Sequence, residues 1–491
     1  MNESATSSAA PKSKFPVGLI LVILLATMGM IAYSQTVAYF GDESLHLVAG
    51  QLIAAGKKPY IDFFYQHTPL WAYLVGLLVF VFGESWRVVH FIAALFMGGA
   101  LMMVGAYVHA RATDILPRFM TATMALLLLV ENAYVVSYGV VALPYSFCLF
   151  FMVTAFVLIT SAVKLQSLMH SFAAGACAGA AAASYLLTAP LIPVLLVWLF
   201  RKNKAGSNQL KSLSFLLGAA LPFTPLLWLF ARAPNRVWFD LVKYHLYYRS
   251  GRDLNFWFNV REIAGWFISI QGLMLTGFAL VSLFLIRRHG TATPAGDELR
   301  LSAWIAAILS VFISVSRPVS SFYFVLITPF LAIPAAFGIA ALHLRVRESL
   351  RFVFVLVIIV VYAAGMSAKR YIWQRQTTYA HHYTVNQIAR IVDEVTAPTG
   401  MIYAFEAVYF EAHRLPPAGL ENRFNPESTA EQLLKDGRFD TVCISATNPR
   451  LRQFNLLERY RQQRSLTLNG FDFYVLWDKR PDSNSTALAG K

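Results

Sequence analysis

The sequence is dominated by apolar stretches that are long enough to cross a lipid bilayer. A helix needs about 20 apolar residues to span about 30 Å of hydrocarbon. Candidate spans lie near 17–35, 88–107, 119–138, 143–162, 171–186, 189–200, 212–230, 263–286, 301–315, 322–341 and 349–366. Only 14% of the residues are charged, well below the roughly 25% of soluble globular proteins. We therefore expect a polytopic all-α membrane protein with about eleven transmembrane helices, and exclude a soluble enzyme, a coiled coil and a disordered chain.

The distribution of positive charge predicts how these spans are oriented. Lys and Arg exceed Asp and Glu by 41 to 26, and such an excess usually lies in cytoplasmic loops. The connections 139–142 and 187–190 contain no Lys or Arg, whereas the loops alternating with them are basic. This pattern holds if the N-terminus (1–16) is cytoplasmic and the 14-residue stretch 69–82 does not cross. The net charge of +15 then needs no nucleic-acid partner.

The same topology leaves three large segments on the outer face of the membrane. The transmembrane domain is predicted to span 17–366, with outer loops at 36–87 and 231–262. The tail 367–491 is more polar and alternates helical patterns (384–396, 428–437) with strand patterns (400–405, 441–446, 472–477). We expect it to form a small C-terminal extracytoplasmic α/β domain. The three cysteines, Cys148, Cys177 and Cys443, are too few and too scattered for a disulfide framework or a zinc site.

The first outer loop contains the residues that most strongly indicate chemistry. Asp42 and Glu43 follow the first span directly, and a helical pattern continues to Ala55 before Gly56. Acidic groups next to hydrocarbon are costly and indicate function by default. Capping of the following helix by Asp42 is an equally good explanation of that residue. His46 lies on the same helical face as Asp42 and is either a ligand or a structural hydrogen-bond partner.

The loop resembles the first outer loop of the GT-C glycosyltransferases. The resemblance rests on the Asp42–Glu43 pair, the helix after it, the run G-x-x-P-Y-x-D-F at 56–63 and H-x-P-L at 67–70. It looks closest to the protein O-mannosyltransferase-like and lipid A aminoarabinose transferase-like branch, which includes the rhizobial galacturonosyltransferase type. The resemblance implies an inverting transfer of a sugar from a polyprenyl-phosphate donor to an acceptor hydroxyl on the outer face. The acceptor would be an envelope glycolipid, a polysaccharide or a protein.

The resemblance also implies roles for individual residues. Asp42 matches the family's general base, and Glu43 either orients it or is itself the base. Substrate contacts are expected from His46, Tyr60, Asp62 and His67. A phosphate leaving group favours cationic donors, and Lys243, Arg249 and Arg317 are the outer-face residues that we expect to bind it. The alternative for Arg317 is that its side chain extends to lipid headgroups.

The sequence does not support a metal or another cofactor. Several GT-C enzymes carry a second acid in the outer connection between the third and fourth spans, sometimes as a metal ligand. Here that connection, 138–145, contains no acid, and Glu131 is the nearest substitute. A divalent metal is possible on this pattern but is not supported by it.

Three other interpretations remain open. A multi-span secondary transporter or flippase would also carry charges within the membrane, although we find no repeat relating the two halves. A non-catalytic scaffold would leave the acids of the first loop unexplained. An oligosaccharyltransferase would be expected to have a metal-binding acid pair and a larger outer domain. The expected location is the bacterial inner membrane, and the sequence identifies neither the sugar nor the acceptor.

Overall fold

The structure is a computed structural model that describes residues 16–37, 42–112, 116–202, 208–248, 256–288, 294–316, 319–365, 384–421, 427–468 and 471–477. Most of these residues are helical. The helices of the first half are α1 (Val17–Ser34), α2 (Glu43–Ala54), α3 (Leu70–Phe82), α4 (Trp86–Arg111), α5 (Arg118–Val130), α6 (Ala133–Tyr138), α7 (Tyr145–Leu165), α8 (Leu168–Ser184), α9 (Leu191–Lys202), α10 (Asn208–Ala220), α11 (Thr224–Arg232) and α12 (Pro234–Trp238). A π-helix follows at Phe239–Tyr248.

The second half continues with helices and ends in a small sheet. Its helices are α13 (Phe256–Phe267), α14 (Ile270–Arg288), α15 (Pro294–Ser314), α16 (Thr328–His343), α17 (Arg351–Ala364), α18 (384–395), α19 (Glu406–Glu411), α20 (Glu427–Lys435), α21 (Arg450–Gln453) and α22 (Leu456–Arg459). Its strands are β1 (Ile402–Tyr403), β2 (Thr441–Ser445), β3 (Gln462–Leu468) and β4 (Phe471–Trp477). Short 3₁₀ turns lie at Leu186–Thr188, Leu221–Phe223, Ser321–Ile327 and Glu348–Leu350.

Six helical units in the described part of the chain have the length and composition to cross a membrane. They are Val17–Ser34, Trp86–Arg111, Tyr145–Leu165, Gln209–Arg232, Ile270–Arg288 and Phe322–His343. The expected polytopic helical membrane protein is therefore observed, whereas the count of eleven spans stays a prediction. Helix α3 has 13 residues and is roughly 20 Å long at 1.5 Å per residue. That length is short of the hydrocarbon thickness, as expected for a segment that does not cross.

The predicted span 119–138 is interrupted rather than continuous, as is 263–286 between α13 and α14. Helix α5 ends at Val130, and a separate short helix, α6, begins at Ala133. The physical reason is Asn132, whose side-chain oxygen accepts hydrogen bonds from the backbone N–H groups of Tyr134 and Val135. Asparagine is a strong helix N-cap, so it starts a new helix where the apolar run alone predicted a single one.

The membrane part is built around helix α16. The helical unit Phe322–His343 is 89% buried, and α4 and α7 are more than half buried, whereas α1 is mostly exposed. The exposed side chains of α1 include Leu21, Leu25 and Met28. Because a lipid-facing surface needs no polar side chains, an apolar exterior around a buried central helix is what a membrane-embedded bundle requires.

The C-terminal segment forms a four-stranded mixed sheet with flanking helices. The strand order is β1-β2-β4-β3, in which β1 and β2 are parallel and the other neighbours are antiparallel. The helices and strands expected near 384–396, 400–405, 428–437, 441–446 and 472–477 are present at those places. Strand β3 was not expected, because its sequence QQRSLTL is polar and lacks a buried alternating pattern. The placement of this C-terminal segment as a separate domain outside the membrane stays a prediction.

This segment packs directly on the first outer loop. Leu47 and Leu52 of α2 and Trp71 of α3 belong to the same hydrophobic cluster as Val385 and Phe410. Polar contacts reinforce this interface: Lys57 pairs with Glu421 at 2.6 Å, and Gln51 donates to the carbonyl oxygen of Arg414 at 3.2 Å. Residues at opposite ends of the chain therefore share one core.

Candidate active site

Helix α2 is fixed by its close approach to α3. A Cβ atom added at Gly50 would lie 2.4 Å from Cγ1 of Val75, and one added at Gly76 would lie 2.6 Å from Cγ2 of Ile53. Real Cβ atoms do not come this close to neighbouring atoms, so each helix needs glycine where it faces the other. This contact positions the beginning of α2, where the two acids lie.

Glu43 is fully buried and held by two partners. Its Oε1 atom is hydrogen-bonded to Nε2 of His90 and accepts the backbone N–H of Ala142 at 3.1 Å. The Nδ1 atom of His90 lies 2.8 Å from the carbonyl oxygen of Ser34 and must donate to it. Glu43 ties α2 to α4 and to the loop before α7.

Asp42 differs from Glu43 in both exposure and partners. It is half-exposed, and although it is the N-cap residue of α2, its side chain makes no capping hydrogen bond. The capping interpretation of Asp42 is thus not supported. The carboxylate lies within electrostatic range of His46 and of Tyr145.

Beside Asp42 lies a cluster of six rings, which we call the ring cluster. Its members are His46, Tyr65, His67, Tyr145, Tyr185 and Tyr323. His46 stacks on His67 with ring centroids 5.1 Å apart, and its Nδ1 lies 2.8 Å from the hydroxyl oxygen of Tyr65. The hydroxyl oxygens of Tyr145 and Tyr185 are 3.5 Å apart. The cluster therefore brings together side chains that are distant in the sequence.

His46 is neutral at physiological pH. Burial lowers the pKa of His46 to about 4, although the charges of Asp42 and Glu43 act in the opposite direction. Burial also raises the pKa of Tyr65, so the phenol keeps its proton and shares one hydrogen bond with Nδ1 of His46.

The predicted substrate-binding residues of the first loop separate into two groups. His46 and His67 belong to the ring cluster, as described above. Tyr60 lies behind it, with its hydroxyl donating to the carbonyl oxygen of His67 at 2.5 Å. Asp62 is exposed and closes the turn by accepting the backbone N–H of Lys58 at 2.7 Å. Tyr60 and Asp62 thus shape the loop, and direct substrate contacts by all four residues stay predictions.

A cavity of ≈ 530 Å³ opens beside the ring cluster. Its polar lining includes His67, Tyr185, His245, Ser316 and Tyr323. Its apolar lining includes Leu186, Leu246, Phe312 and Val315, all of which are also exposed on the outside of the molecule. The cavity therefore has a polar end at the ring cluster and an apolar side continuous with the lipid-facing surface.

The π-helix Phe239–Tyr248 forms one wall of this cavity and is attached to the first loop. The backbone N–H of Tyr65 donates to Oδ2 of Asp240 at 3.0 Å, and Nε2 of His245 donates to the carbonyl oxygen of Gln66 at 2.8 Å. Burial raises the pKa of Asp240 to about 7, against the opposing effects of the Tyr65 hydrogen bond and Arg236. Sequence reasoning missed Asp240; the only signal was an acid within an aromatic, amphipathic run.

The structure describes one of the three predicted phosphate-binding cations. Lys243 is exposed on the π-helix, whereas Arg249 and Arg317 lie outside the described residues. His67 and His245 are the described lining residues of the cavity that can become cationic. Within the described ranges, no group of three or more His, Cys, Asp or Glu side chains is arranged to hold a metal ion.

Comparisons with known proteins agree on the architecture. No protein-family model matches the sequence, and no curated protein matches it significantly. The structure of ArnT from Cupriavidus metallidurans bound to undecaprenyl phosphate superimposes with a TM-score of 0.66 at 14% identity, covering 97% of this chain and 100% of that one. The oligosaccharyltransferase AglB from Archaeoglobus fulgidus, solved with an inhibitory peptide and a dolichol-phosphate, gives 0.54 at 13% identity, covering 95% and 75%.

A third similar structure is the arabinofuranosyltransferase AftD from Mycobacteria, with a TM-score of 0.50 at 11% identity. The match covers 95% of this chain and 40% of that chain. The likeness to ArnT extends over the whole of both chains, including the segment after the membrane helices. The resemblance drawn from the first outer loop is confirmed at the level of the fold: this chain has the GT-C fold.

Proposed function

We propose that this protein is an integral-membrane glycosyltransferase that uses a polyprenyl-phosphate-linked sugar as donor and an acceptor hydroxyl as nucleophile. The observation that carries the proposal is the position of Asp42. Its side chain is half-buried and makes no capping hydrogen bond, and it lies within electrostatic range of His46 and Tyr145. These rings belong to the ring cluster, which borders a cavity with a polar end and an apolar side exposed on the outside of the molecule. The Asp42 carboxylate, which can act as a base, is therefore close to the ring cluster, and the cavity at that cluster suits an amphipathic donor.

The reaction balances with one base and no general acid. The acceptor oxygen attacks C1 of the donor sugar while its proton passes to Asp42, as in general base catalysis. The bond between C1 and the phosphate oxygen breaks, and polyprenyl phosphate leaves with the electron pair. Attack opposite to the leaving group inverts the configuration at C1. Phosphate is a good leaving group and needs no protonation.

In this proposal Glu43 has a structural role: it holds the beginning of α2 in place and does not transfer a proton. Its Oε1 atom is already bound to His90 and to the backbone of Ala142, so it is less available than Asp42. The neutral His46 between the two acids and the cavity fixes the ring cluster against which a substrate would lie. The contacts of Glu43 therefore favour Asp42 as the base.

The donor's phosphate would lie at the polar end of the cavity. His67 and His245 line that end, and Lys243 lies on the same π-helix. We propose that Arg317 and Arg249 complete the site, because guanidinium groups bind phosphate oxygens in a bidentate manner. The polyprenyl chain would extend along Leu186, Leu246 and Val315 into the membrane. The polyprenyl phosphates bound to ArnT and AglB support a donor of this class.

The proposed topology follows the charge distribution and the architecture. The N-terminus would be cytoplasmic, about eleven helices would span a bacterial inner membrane, and residues 367–491 would form an extracytoplasmic α/β domain. The acceptor would be a glycolipid, polysaccharide or protein of the cell envelope. No resident cofactor is proposed.

Transfer of label from a lipid donor tests this function. Membranes containing wild-type protein, Asp42→Asn or the exposed control Glu394→Gln would be incubated with a panel of radiolabelled polyprenyl-phosphate monosaccharides. Wild type and Glu394→Gln should move label to a larger acceptor. Asp42→Asn should be slower by about 10²- to 10⁴-fold, which is the usual contribution of a general base.

Two outcomes would contradict the proposal. Wild-type turnover by folded Asp42→Asn would exclude Asp42 as the base. Absence of donor consumption by folded wild-type protein with every donor would remove the transferase assignment, and substrate transport would then be measured in vesicles.

A further inference from the structure

A second cavity lies in the C-terminal segment, on the side of α2 that faces away from the ring cluster. It has a volume of ≈ 530 Å³ and is bounded by Val48 of α2, the residues after β1 and the residues after β2. Val48 follows His46 by two residues, a rotation of about 200° around the helix axis. The two cavities are therefore separated by α2. We call this second one the outer cavity.

The outer cavity lies where a sheet of this kind commonly binds ligands. β1 and β2 are parallel, and the cavity is lined by the end of each strand and by residues beyond it, Tyr403 to Glu406 and Cys443 to Ser445 with Asn448. Crevices beyond the carboxyl ends of parallel strands are the usual ligand sites of open α/β sheets. The volume is also within the 300–1,000 Å³ typical of small-molecule sites.

The lining combines aromatic rings with hydrogen-bonding groups. Tyr403, Phe405 and Phe473 are half-buried, so their rings remain accessible from the cavity. Phe405 and Phe473 form a pair with centroids 5.8 Å apart. Ser445 and Asn448 supply neutral polar groups. Flat apolar walls beside polar groups suit a sugar ring, which has C–H groups on its faces and hydroxyl groups at its edge.

The charges of the lining favour a neutral ligand over an anionic one. The lining contains two carboxylates, Glu406 and Glu421, and one guanidinium, Arg450. Arg450 already donates to the hydroxyl oxygen of Tyr403 at 3.0 Å and lies 3.6 Å from Glu431. Its charge is thus largely compensated, and the charge of Glu421 is likewise compensated by Lys57. A phosphate or uronate would therefore approach the carboxylate of Glu406. Carboxylates accept hydrogen bonds from sugar hydroxyl groups.

We propose that the outer cavity binds a neutral glycan, and that this glycan belongs to the acceptor. The second part rests on the proposed transferase function; the first part does not. The rise of 1.5 Å per residue places Val48 roughly 9 Å along α2 from Asp42. An acceptor held in the outer cavity would therefore engage the protein some distance from the hydroxyl that reacts, as an oligosaccharide does and a monosaccharide does not.

Direct binding tests the proposal without turnover. Full-length protein in detergent would be titrated with maltotriose, cellotriose and mannotriose as neutral probes and with trigalacturonic acid as the anionic counterpart. The readouts are saturation-transfer difference NMR and isothermal titration calorimetry. We expect at least one neutral trisaccharide to bind and trigalacturonic acid not to bind.

Variants assign the binding to this cavity. Glu406→Gln should weaken the neutral trisaccharide about tenfold, because a hydrogen bond to a charged group is lost. Phe405→Ala should weaken it several-fold through loss of ring contact. Glu394→Gln, which is exposed on α18, should bind like wild type. The readout is binding and not turnover, so failure of the transferase proposal leaves this result unchanged.

Three results would overturn the assignment. No binding of any neutral trisaccharide by folded wild-type protein would remove the glycan site. Preference for trigalacturonic acid would contradict the argument from charge. Undiminished binding by both Glu406→Gln and Phe405→Ala would place the glycan elsewhere. Glu406→Gln preserves side-chain size, so it remains informative if Phe405→Ala does not fold.

Discussion

At the scale of single residues, two adjacent acids have different surroundings and therefore different expected roles. Asp42 is half-exposed, whereas Glu43 is completely buried. Sequence reasoning located both but left their roles interchangeable. The distinction depends on His90 and Ala142, which follow Glu43 by 47 and 99 residues. Contacts at such separations come from tertiary packing, and a single sequence does not reveal them.

We predict that Glu43 is needed for stability. Glu43→Ala leaves His90 without its buried partner, which should lower the free energy of unfolding by about 3–5 kcal/mol. Glu43→Gln should be milder, because an amide N–H can donate to Nε2 of His90 while Nδ1 continues to donate to Ser34. Thermal unfolding in detergent measures both variants.

The same variants distinguish the two acids in turnover. Glu43→Gln should retain label transfer, whereas Asp42→Asn should lose it. If folded Glu43→Gln is inactive and folded Asp42→Asn is active, their roles are reversed.

A second residue-scale prediction concerns the pH dependence of stability. The pKa of Asp240 is raised by burial to about 7, whereas an unfolded aspartate titrates near about 3.9. Between these values the folded state binds more protons than the unfolded state. This group therefore stabilises the protein fully at low pH, and its contribution is lost as pH rises from about 4 through about 7.

Asp240→Asn should remove that part of the pH dependence. Unfolding midpoints would be measured from pH 4 to 8 for wild type, Asp240→Asn and the exposed control Asp62→Asn. The decrease in stability with rising pH should be smaller in Asp240→Asn and unchanged in Asp62→Asn. An identical slope in Asp240→Asn and wild type would show that Asp240 ionises normally.

At the scale of secondary-structure elements, the contact between α2 and α3 determines where the two acids lie. Gly50→Ala would place a methyl group 2.4 Å from Cγ1 of Val75, and Val75 is β-branched and stiff. The helices would have to separate, at a cost of about 1–3 kcal/mol, and α2 would carry Asp42 with it. We expect a lower unfolding midpoint and slower label transfer.

The matched control for this change is Gly29→Ala. Gly29 lies in α1, and no neighbouring atom lies within 4 Å of the Cβ that would be added. Alanine is the better helix former by about 1 kcal/mol, so Gly29→Ala should be neutral or slightly stabilising. If the two variants behave alike, the close approach of α2 and α3 does not matter for the site.

The sequence predicted the elements best where composition alone determines them. Long apolar runs such as 88–107 and 322–341 correspond to helices α4 and α16. The break at Asn132 and the polar strand β3 were missed, because one depends on a single capping side chain and the other on pairing with β4. The π-helix falls in the predicted outer loop 231–262, but its attachment through Asp240 and His245 is tertiary and was not expected.

At the scale of the whole molecule, the membrane part and the C-terminal segment depend on each other. Leu47 and Trp71 share a hydrophobic cluster with Val385 and Phe410, and Lys57 pairs with Glu421 across the same interface. Although the tail was predicted as a distinct domain, its packing against α2 was not predicted. The compositional change near residue 367 marks where hydrophobic spans end, not where contacts end.

We predict that removal of residues 384–491 destabilises the remaining chain. Exposing the apolar side chains of α2 and α3 should lower the amount of folded protein recovered from membranes and its unfolding midpoint. The control deletion, 478–491, removes none of the clustered residues named above and should be neutral. An unchanged midpoint after the longer deletion would show that the membrane part is stable alone. Size-exclusion chromatography and thermal unfolding in detergent are sufficient measurements.

The shared core between α2, α3 and the C-terminal segment also sets the order of events during biosynthesis. Residues 43–82 leave the ribosome early, whereas their partners from 385 onward follow more than 300 residues later. At typical synthesis rates this interval lasts on the order of tens of seconds. The faces of α2 and α3 that pack on the C-terminal segment must stay uncovered throughout, so this core can be completed only after the last segment has been synthesised. An incomplete chain therefore cannot form the core that supports the beginning of α2.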